Sequence, residues 1–320
     1  MNATAAKVSG ADLARLDARA EALEVPLQRD APLAPFTTLR VGGPADRLAT
    51  PRDRDGLLAA LRLGREAGVP TMVIGNGSDL VVADTGIRGL VIRNRANRVS
   101  LHDDLLSADS GTPMALLVKR CTAAGLAGLE FGISIPGTLG GAVWANAGAH
   151  GGEMAQIVAS VEVWDPRDDA VRTLGADGCR FGYRDSRFKH GHEVVLSATL
   201  RLRHESPAEI AARVAAHQAQ RQATQPLADQ NAGSVFRNPP GDHAGRLIDA
   251  AGLKGMRVGS ASVSTLHANF IVTDRAARAG DVRDLGDSVR AAVRDRFGVA
   301  LEYEIEFVGD WTHADRGHAS

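Results

Sequence analysis

Apolar positions recur at helical spacing from Asp53 to Ala67, where RDGLLAALRLGREAG carries leucines at 57, 58, 61 and 63 and stops at Gly68. Two short strand-like runs follow, TMVIG at 71–75 and GLVIRN at 89–94. A second helical pattern, PMALLVKRCTAAG, extends from Pro113 to Ala124 and ends at Gly125. SVEVWDP at 160–166 and VVLSATLRLRH at 194–204 alternate as strands, the latter with Leu196, Ala198, Leu200 and Leu202 on one face. Near the N terminus Leu13, Leu16 and Leu23 outline an amphipathic helix. Helices interleaved with strands in this order predict an α+β or α/β unit and not a sandwich.

The pattern changes at Ser206-Pro207-Ala208-Glu209, which reads as a capping box with proline at the first helical position, opening a helix to about Ala223. Loop chemistry dominates from Gln225 to Asp242. Helices are then expected at about 244–251 and 281–297, the second striped by Val282, Leu285, Val289, Val293 and Phe297. The chain therefore divides into an N-terminal extension (1–27), two mixed α/β units (28–94 and 95–205) and a C-terminal α+β unit (206–320).

Composition narrows the function classes. The chain has 320 residues, is 44% hydrophobic and 23% charged, and carries a net charge of −1, as an ordinary globular protein does. No basic cluster is long enough to suggest nucleic acid or an anionic membrane as partner, and no apolar run is long enough to span a bilayer. The first 25 residues are broken by Asp, Arg and Glu and do not resemble a signal peptide, so a cytoplasmic location is expected. Cys121 and Cys179 cannot build a disulfide framework and show no metal-ligand spacing; no metal site is expected. Cys121 falls in an apolar helical pattern and reads as core.

Two glycine-rich loops carry the first chemical signal. In IGNGSDL (74–80) a G-x-G-S run follows a strand and reads either as a tight turn or as a nest of amides for phosphate oxygens. It lacks the Lys of a Walker loop and the third glycine of a Rossmann turn. SIPGTLGGAVWANAGAHGG (134–152) has six glycines in nineteen residues, equally suited to a close-packed helix start or to a ligand lying on the backbone. Two such loops in one half of a chain fit a large ligand with a diphosphate and a planar ring, which points to a dinucleotide cofactor without saying which.

Three polar runs could add chemistry. FGYRDSRFK (181–189) offers Arg184 as a fixed planar donor for developing negative charge, or is a solvated turn anchored by aromatics. NAGSVFRNP (231–239) places Ser234 in a turn with Arg237 and Asn238 behind it. LEYEIEFVG (301–309) alternates strictly, with Glu302, Glu304 and Glu306 on one face; two of the three are expected to be solvated on an edge strand and one to meet Arg184. His267 and Asn269 lie in STLHANFIVT, which reads as an apolar strand, with no second His at ligand spacing.

These runs, together with TTLRVGGPA (37–45), GLEFGISIPGTLGGAVWANAGAHGGE (128–153) and SVSTLHANFIV (262–272), resemble the UDP-N-acetylenolpyruvoylglucosamine reductase (MurB) family of flavoenzymes, in order over roughly residues 33–309. The resemblance implies a two-subdomain FAD-binding fold of the vanillyl-alcohol-oxidase (PCMH-like) type with a C-terminal substrate domain. It implies non-covalent FAD, NADPH as hydride donor and the enolpyruvyl ether of UDP-N-acetylglucosamine as substrate, reduced to UDP-N-acetylmuramate. Cofactor contacts fall by resemblance on Gly75, Asn76, Gly77, Ser78, Asp79 and Leu80, and on Ser134, Ile135, Pro136, Gly137, Gly140 and Gly141. Arg184 and Glu304 match the residues that stabilise the enolate-like species, and Ser234 the proton donor to carbon. Arg221, Arg237, Asn238 and His267 match positions near the substrate.

Two features depart from the family pattern. Residues 190–205 run from HGHE straight into a strand, leaving no room for the inserted tyrosine loop of some members, so this chain is similar to the shorter subgroup. Thr224-Gln225 stands before Pro226, where some members have a lysine, which shifts diphosphate binding onto Arg221 and Arg237. A flavin oxidase of the same fold and a non-catalytic flavin-binding protein are the competing readings; neither requires proton delivery by Ser234. A monomer is expected.

Overall fold

The computed structural model describes residues 8–275 and 277–311. The first body is a four-stranded sheet in the spatial order Gln28–Pro32, Pro44–Ala49, Ile87–Arg93, Thr71–Ile74, the last three parallel to one another. Helix α2 (Arg54–Ala67) forms where the leucine spacing predicts it. Asp53 caps it by accepting from the Gly56 amide at 2.8 Å, and Gly68 ends it at φ +67°. Leu57, Leu58, Leu61 and Leu63 are all buried against the sheet.

Helix α1 (Gly10–Ala22) packs on α2 through Leu16 and Ala20, and Asp17 accepts two bonds from the guanidinium of Arg47 at 2.6 and 2.8 Å. Residues 10–22 thus belong to the first body and are not a detached extension. Leu23, expected on the apolar face, is the residue that ends α1 and is exposed.

The middle body is a five-stranded antiparallel sheet ordered Ala170–Gly175, Val158–Asp165, Val194–Arg201, Leu105–Asp109, Val99–His102. One of its faces is covered by α3 (Met114–Ala124) and α4 (Leu139–Ala145), whose Leu117 and Val143 meet Leu106, Val161 and Leu200. Leu196 and Trp164 instead join the leucines of α2, so the first and middle bodies share a core. Both cysteines are buried, and burial pushes the Cys121 thiol up to about 12.

Helix α6 (Pro207–Thr224), expected to open the C-terminal unit, packs on the middle body instead. Arg213 on α6 grips Glu130 at 2.6 and 2.9 Å and Glu205 at 2.6 Å. The capping box does not form: Ser206 makes no side-chain cap bond, and the chain is held there by Pro207 and by the Glu205 amide on the Gly125 carbonyl at 2.9 Å.

The C-terminal core lies between α7 (Ala244–Ala250), α8 (Ala279–Phe297) and a four-stranded sheet ordered Gln230–Asn231, Ile271–Thr273, Ala261–Val263, Arg257–Val258. Val282, Leu285, Val289 and Val293 are buried as the stripe requires; Phe297, at the last position of α8, is half-exposed. Leu39, Val41 and Val81 of the first body enter this core.

The run 301–309 is not one strand. Only Glu306–Val308 is, and it pairs in parallel with Leu80–Val82 of the first body. Residues 302–304 are captured by the 235–237 segment: Arg237 N donates to Glu302 O (2.9 Å) and Glu304 N to Val235 O (2.8 Å). Alternation survives the split, since Leu301 and Ile305 are buried. Among the described residues no helix is long and apolar enough to cross a membrane, and none of their acids, histidines and cysteines cluster as metal ligands would.

Candidate active site

The two glycine loops face each other. Loop 75–79 leaves the C-terminal end of strand Thr71–Ile74, the end at which parallel sheets present ligands. Gly77 adopts φ +60°, and a Cβ there would stand 2.3 Å from Phe36 O; a Cβ on Gly75 would stand 2.5 Å from Thr138 Oγ1. Gly75 thus allows the first body to touch the start of α4, and Gly77 lets the loop close on Phe36. Asn76 Nδ2 closes the contact by donating to Pro136 O at 2.8 Å, and Ser78 Oγ lies beside Gly137. None of the backbone amides of residues 75–78 donates to another described residue, so the loop presents a row of donors.

Gly140 and Gly141 differ. Gly140 turns into the protein, its amide on Ser110 O at 2.8 Å, and packs where a side chain would strike Ser110; Gly141 is exposed beside the Thr138 hydroxyl. Ser134 Oγ is bonded to His150 Nε2 at 2.8 Å, and the His150 ring stacks on His217 of α6 at 4.0 Å. Beside Asn76 and Pro136 opens a cleft of about 380 Å³ lined also by Phe36, Arg40, Arg93 and Gln230. Arg93 lays its guanidinium 4.1 Å from the centre of the Phe36 ring, and its buried Nε has no partner.

The polar runs converge as pairs. Arg184 sits at φ +53°, a left-handed conformation that costs a side-chain-bearing residue about 1–2 kcal/mol. Its Nε donates to Glu304 Oε1 at 2.9 Å and its other arm to Gly148 O at 2.7 Å. The surroundings hold that backbone in place. Asn146, buried at φ +44°, donates to Gly182 O (2.8 Å) and accepts from Ala155 N (2.9 Å), while Ser186 Oγ donates to Trp144 O (2.6 Å). Burial pushes the Glu304 carboxyl up, against the pull of Arg184, Arg237 and Lys189.

Ser234 follows Gly233 at φ +75° and precedes Val235, whose carbonyl accepts the Glu304 amide, so Ser234 and Glu304 are neighbours through the backbone. Asn269 anchors that turn: its side chain both donates to Phe236 O (2.8 Å) and accepts from Phe236 N (3.0 Å), and its own carbonyl accepts from Val235 N (2.8 Å).

The expectation that two of the three glutamates are solvated is corrected. Glu302 alone is largely exposed, at 77%, with Arg237 at 4.0 Å, whereas Glu306 meets Lys189 at 3.3 Å. His267 is in the turn between two strands and not on one; its Nδ1 accepts from Asn269 N at 3.2 Å, and burial lowers its basicity. Asn238 Oδ1 accepts from Ala244 N at 3.0 Å at the start of α7. Arg221 bonds Gln225 Oε1 at 2.8 Å at the end of α6, and burial works against its charge. The bonds of these three go to Asn269, Ala244 and Gln225 and not to the Arg184–Glu304 pair. α5 (Arg187–His190) is followed at Val194 by the next strand, which leaves no inserted loop in this region.

Asn146, Lys189 and Arg93 were missed from the sequence. Asn146 had a readable signal, an Asn directly after a short apolar helical run, where a left-handed helix end is common.

Residues 45–174 match the FAD binding domain family, and residues 225–308 match the family described as UDP-N-acetylenolpyruvoylglucosamine reductase, C-terminal domain. The chain is 44% identical over 286 residues to UDP-N-acetylenolpyruvoylglucosamine reductase 2 of Symbiobacterium thermophilum, covering 88% of this chain and 92% of that protein. It is 43% identical to the reductase of Caulobacter vibrioides, covering 88% and 94%. The crystal structure of the Thermus caldophilus reductase superposes with a TM-score of 0.75 at 38% identity, covering 88% of this chain and 98% of that one.

Proposed function

The chain belongs to the UDP-N-acetylenolpyruvoylglucosamine reductase family, and from that membership we propose that Arg184, Glu304 and Ser234 carry its chemistry. The family activity is NADPH-dependent reduction of the enolpyruvyl ether of UDP-N-acetylglucosamine to UDP-N-acetylmuramate through bound FAD, a step of peptidoglycan precursor synthesis. The residues present fit that cofactor: a row of amide donors at 75–78, glycines that bring two loops together, and an unpartnered Arg93 donor in the adjoining cleft. Bound FAD supplies the hydride relay between NADPH and the enol ether.

The protein's own task is then charge and proton management. Hydride arriving at the terminal carbon of the enol ether leaves negative charge on the neighbouring carbon and its carboxylate. Arg184, held by Glu304 and Gly148 O in a backbone conformation it would not choose alone, aims a fixed planar cation at that charge. The Glu304 carboxyl, raised by burial, is suited to hold a proton beside it. The Ser234 hydroxyl delivers the proton to the second carbon, completing addition of one hydride and one proton across the double bond. The observation that carries the reading is the Arg184–Glu304 pair beside the Ser234 turn.

Residues 75–80, Ser134–Gly137 and Gly141 are assigned to the cofactor; Gly140 serves packing of the same loop. Arg221, Arg237, Asn238 and His267 are assigned to substrate positioning. For Asn238 and His267 the bonds already made favour an indirect part, holding the start of α7 and the Asn269 turn. We divide the chain into cofactor units at 28–94 and 95–205 and a substrate unit from 206, with α6 seated on the middle unit. A monomer in the cytoplasm, where NADPH and nucleotide sugars are made, completes the proposal.

The test is anaerobic. NADPH is added to bleach the flavin of Ser234→Ala, excess nucleotide is removed, and the enolpyruvyl substrate is added. Bleaching at near wild-type rate with reoxidation slowed about 10²–10⁴-fold is expected for loss of a general acid. Reoxidation at the wild-type rate removes Ser234 from the mechanism.

A further inference from the structure

Arg184–Glu304 has a neighbour that the mechanism above does not use. Lys189, five residues on in α5, is only 9% exposed; its Nζ lies 3.3 Å from Glu306 Oε1 and 4.3 Å from the centre of the Trp144 ring. Glu306 is two residues after Glu304, and its amide donates to Asp79 O of the cofactor loop at 2.8 Å. One ammonium thus ties together the Arg184 loop, the Glu304 segment, helix α4 and loop 75–79.

We propose that Lys189 and Glu306 are positioning residues for the reaction, a second rung beside Arg184–Glu304 that sets the net charge against which the Glu304 carboxyl works. The inference rests on the assignment of Glu304 made above.

The charge inventory supports it. Glu304 faces Arg184, Arg237 and Lys189; Asp79 faces Glu306, Glu304 and Lys189; Asp185 faces Lys189 and His190. Arg237 in turn lies near Glu302. Four carboxyls, Asp79, Asp185, Glu304 and Glu306, therefore face Lys189, with Arg184 and Arg237 also bearing on Glu304. Burial and the neighbouring glutamates push the Asp79 carboxyl up, against a bond from its own backbone amide and the pull of Lys189. A packing tie would need no charge. A charge-setting rung instead demands effects of opposite sign from its two ends.

Without Lys189 positive charge, the Glu304 carboxyl holds its proton to higher pH. Without Glu306 negative charge, the Lys189 ammonium bears fully on Glu304 and lowers the pH at which the proton is lost. Each change is on the order of half to one pH unit after partial screening.

The experiment follows the pH dependence of flavin reoxidation by the enolpyruvyl substrate, after anaerobic reduction by NADPH, in Lys189→Met, Lys189→Arg, Glu306→Gln, the Lys189→Met/Glu306→Gln pair and Glu304→Gln. The NADPH step in each variant reports an intact cofactor cradle. Expected is a limb moved up in Lys189→Met, down in Glu306→Gln, near wild type in the double variant and in Lys189→Arg, and lost in Glu304→Gln. Shifts in the same direction, or slower rates with the limb in place, overturn the inference while leaving Glu304 assigned. A limb that survives Glu304→Gln overturns the Glu304 assignment and this inference with it. Glu306→Gln, nearly isosteric and at a site 36% exposed, decides the matter should Lys189→Met lose flavin.

Discussion

Arg184→Gly and Arg184→Ala should differ in stability and agree in catalysis. Both remove the bonds to Glu304 (2.9 Å) and Gly148 O (2.7 Å), from a side chain only 21% exposed. Both bonds have a guanidinium donor, and a charge-assisted bond contributes about 1.5–3 kcal/mol, so each variant loses roughly 3–6 kcal/mol from this source. The two differ at the backbone. Alanine keeps the strain of φ +53°, about 1–2 kcal/mol, which glycine releases while costing about 0.5–1 kcal/mol in unfolded-chain entropy. Glycine should therefore be the more stable by about 0.5–1 kcal/mol. For a chain of this size that is one to a few degrees in the melting temperature of the flavin-loaded protein. The functional loss should be common: removing one preorganised donor costs about 10²–10³-fold, read as the rate of anaerobic reoxidation by the enolpyruvyl substrate. Alanine melting at or above glycine would refute the strained loop. Either variant reoxidising within tenfold of wild type would refute Arg184 as the electrostatic element.

Three further outcomes can be checked. Because burial raises the Glu304 carboxyl above its unfolded value of about 4.3, the folded state binds the proton more tightly, and stability is lost as pH rises through the raised value; Glu304→Gln should remove that slope, so its melting temperature relative to wild type rises between pH 5 and pH 8, and a constant difference would contradict the burial argument. Gly75→Ala puts a Cβ 2.5 Å from Thr138 Oγ1, an overpacking cost of about 1–3 kcal/mol at the meeting of the two cradle loops; FAD affinity by flavin fluorescence should fall about tenfold or more, and unchanged affinity would mean the loops part freely. Asn269→Leu leaves Phe236 N and O unpaired in a buried turn at about 2–4 kcal/mol, so it should lower the melting temperature by several degrees and slow reoxidation more than flavin reduction, whereas equal slowing of both steps would detach Asn269 from the Ser234 turn.

The parts of the fold that were legible are those in which one local rule decided the outcome. Leucine spacing in α2 and its Gly68 stop reappear as expected, as does the shared face of Ala198, Leu200 and Leu202, whereas a register shift sends Leu196 to the core of α2. Readings failed where distant segments competed for the same backbone. LEYEIEFVG alternates as a strand should, and Leu301 and Ile305 are buried accordingly. Yet its first half gives its hydrogen bonds to residues 235–237 and only its last three residues join a sheet, alongside Leu80–Val82. Periodicity reports which side chains face inward; it carries no information on which chain accepts the amides. The same holds at Ser206, where the capping-box residues are present and proline with a distant carbonyl, Gly125 O, holds the turn instead.

The site divides along a similar line. Arg184, Ser234 and Glu304 were named from motifs, and two of them were found bonded to each other across 120 residues. What the motifs could not supply was the reason Arg184 stays aimed, which lies in Asn146, Ser186 and Gly148, none of which would be picked out for reactivity. The misjudged glutamate follows from the same cause. Glu306 looks like one more solvated acid until the chain folds Lys189 over Trp144 and against it. A loop that holds an arginine at φ +53° can do so only if several bonds over-determine it. Those bonds come from α4 and the loops of the middle body and from the C-terminal segment, so the geometry of the charge-stabilising group depends on both being assembled. Cofactor loop and acid segment share the same parallel strand pair, Leu80–Val82 with Glu306–Val308, which makes the distance between cradle and Glu304 a property of backbone hydrogen bonds and not of flexible side chains.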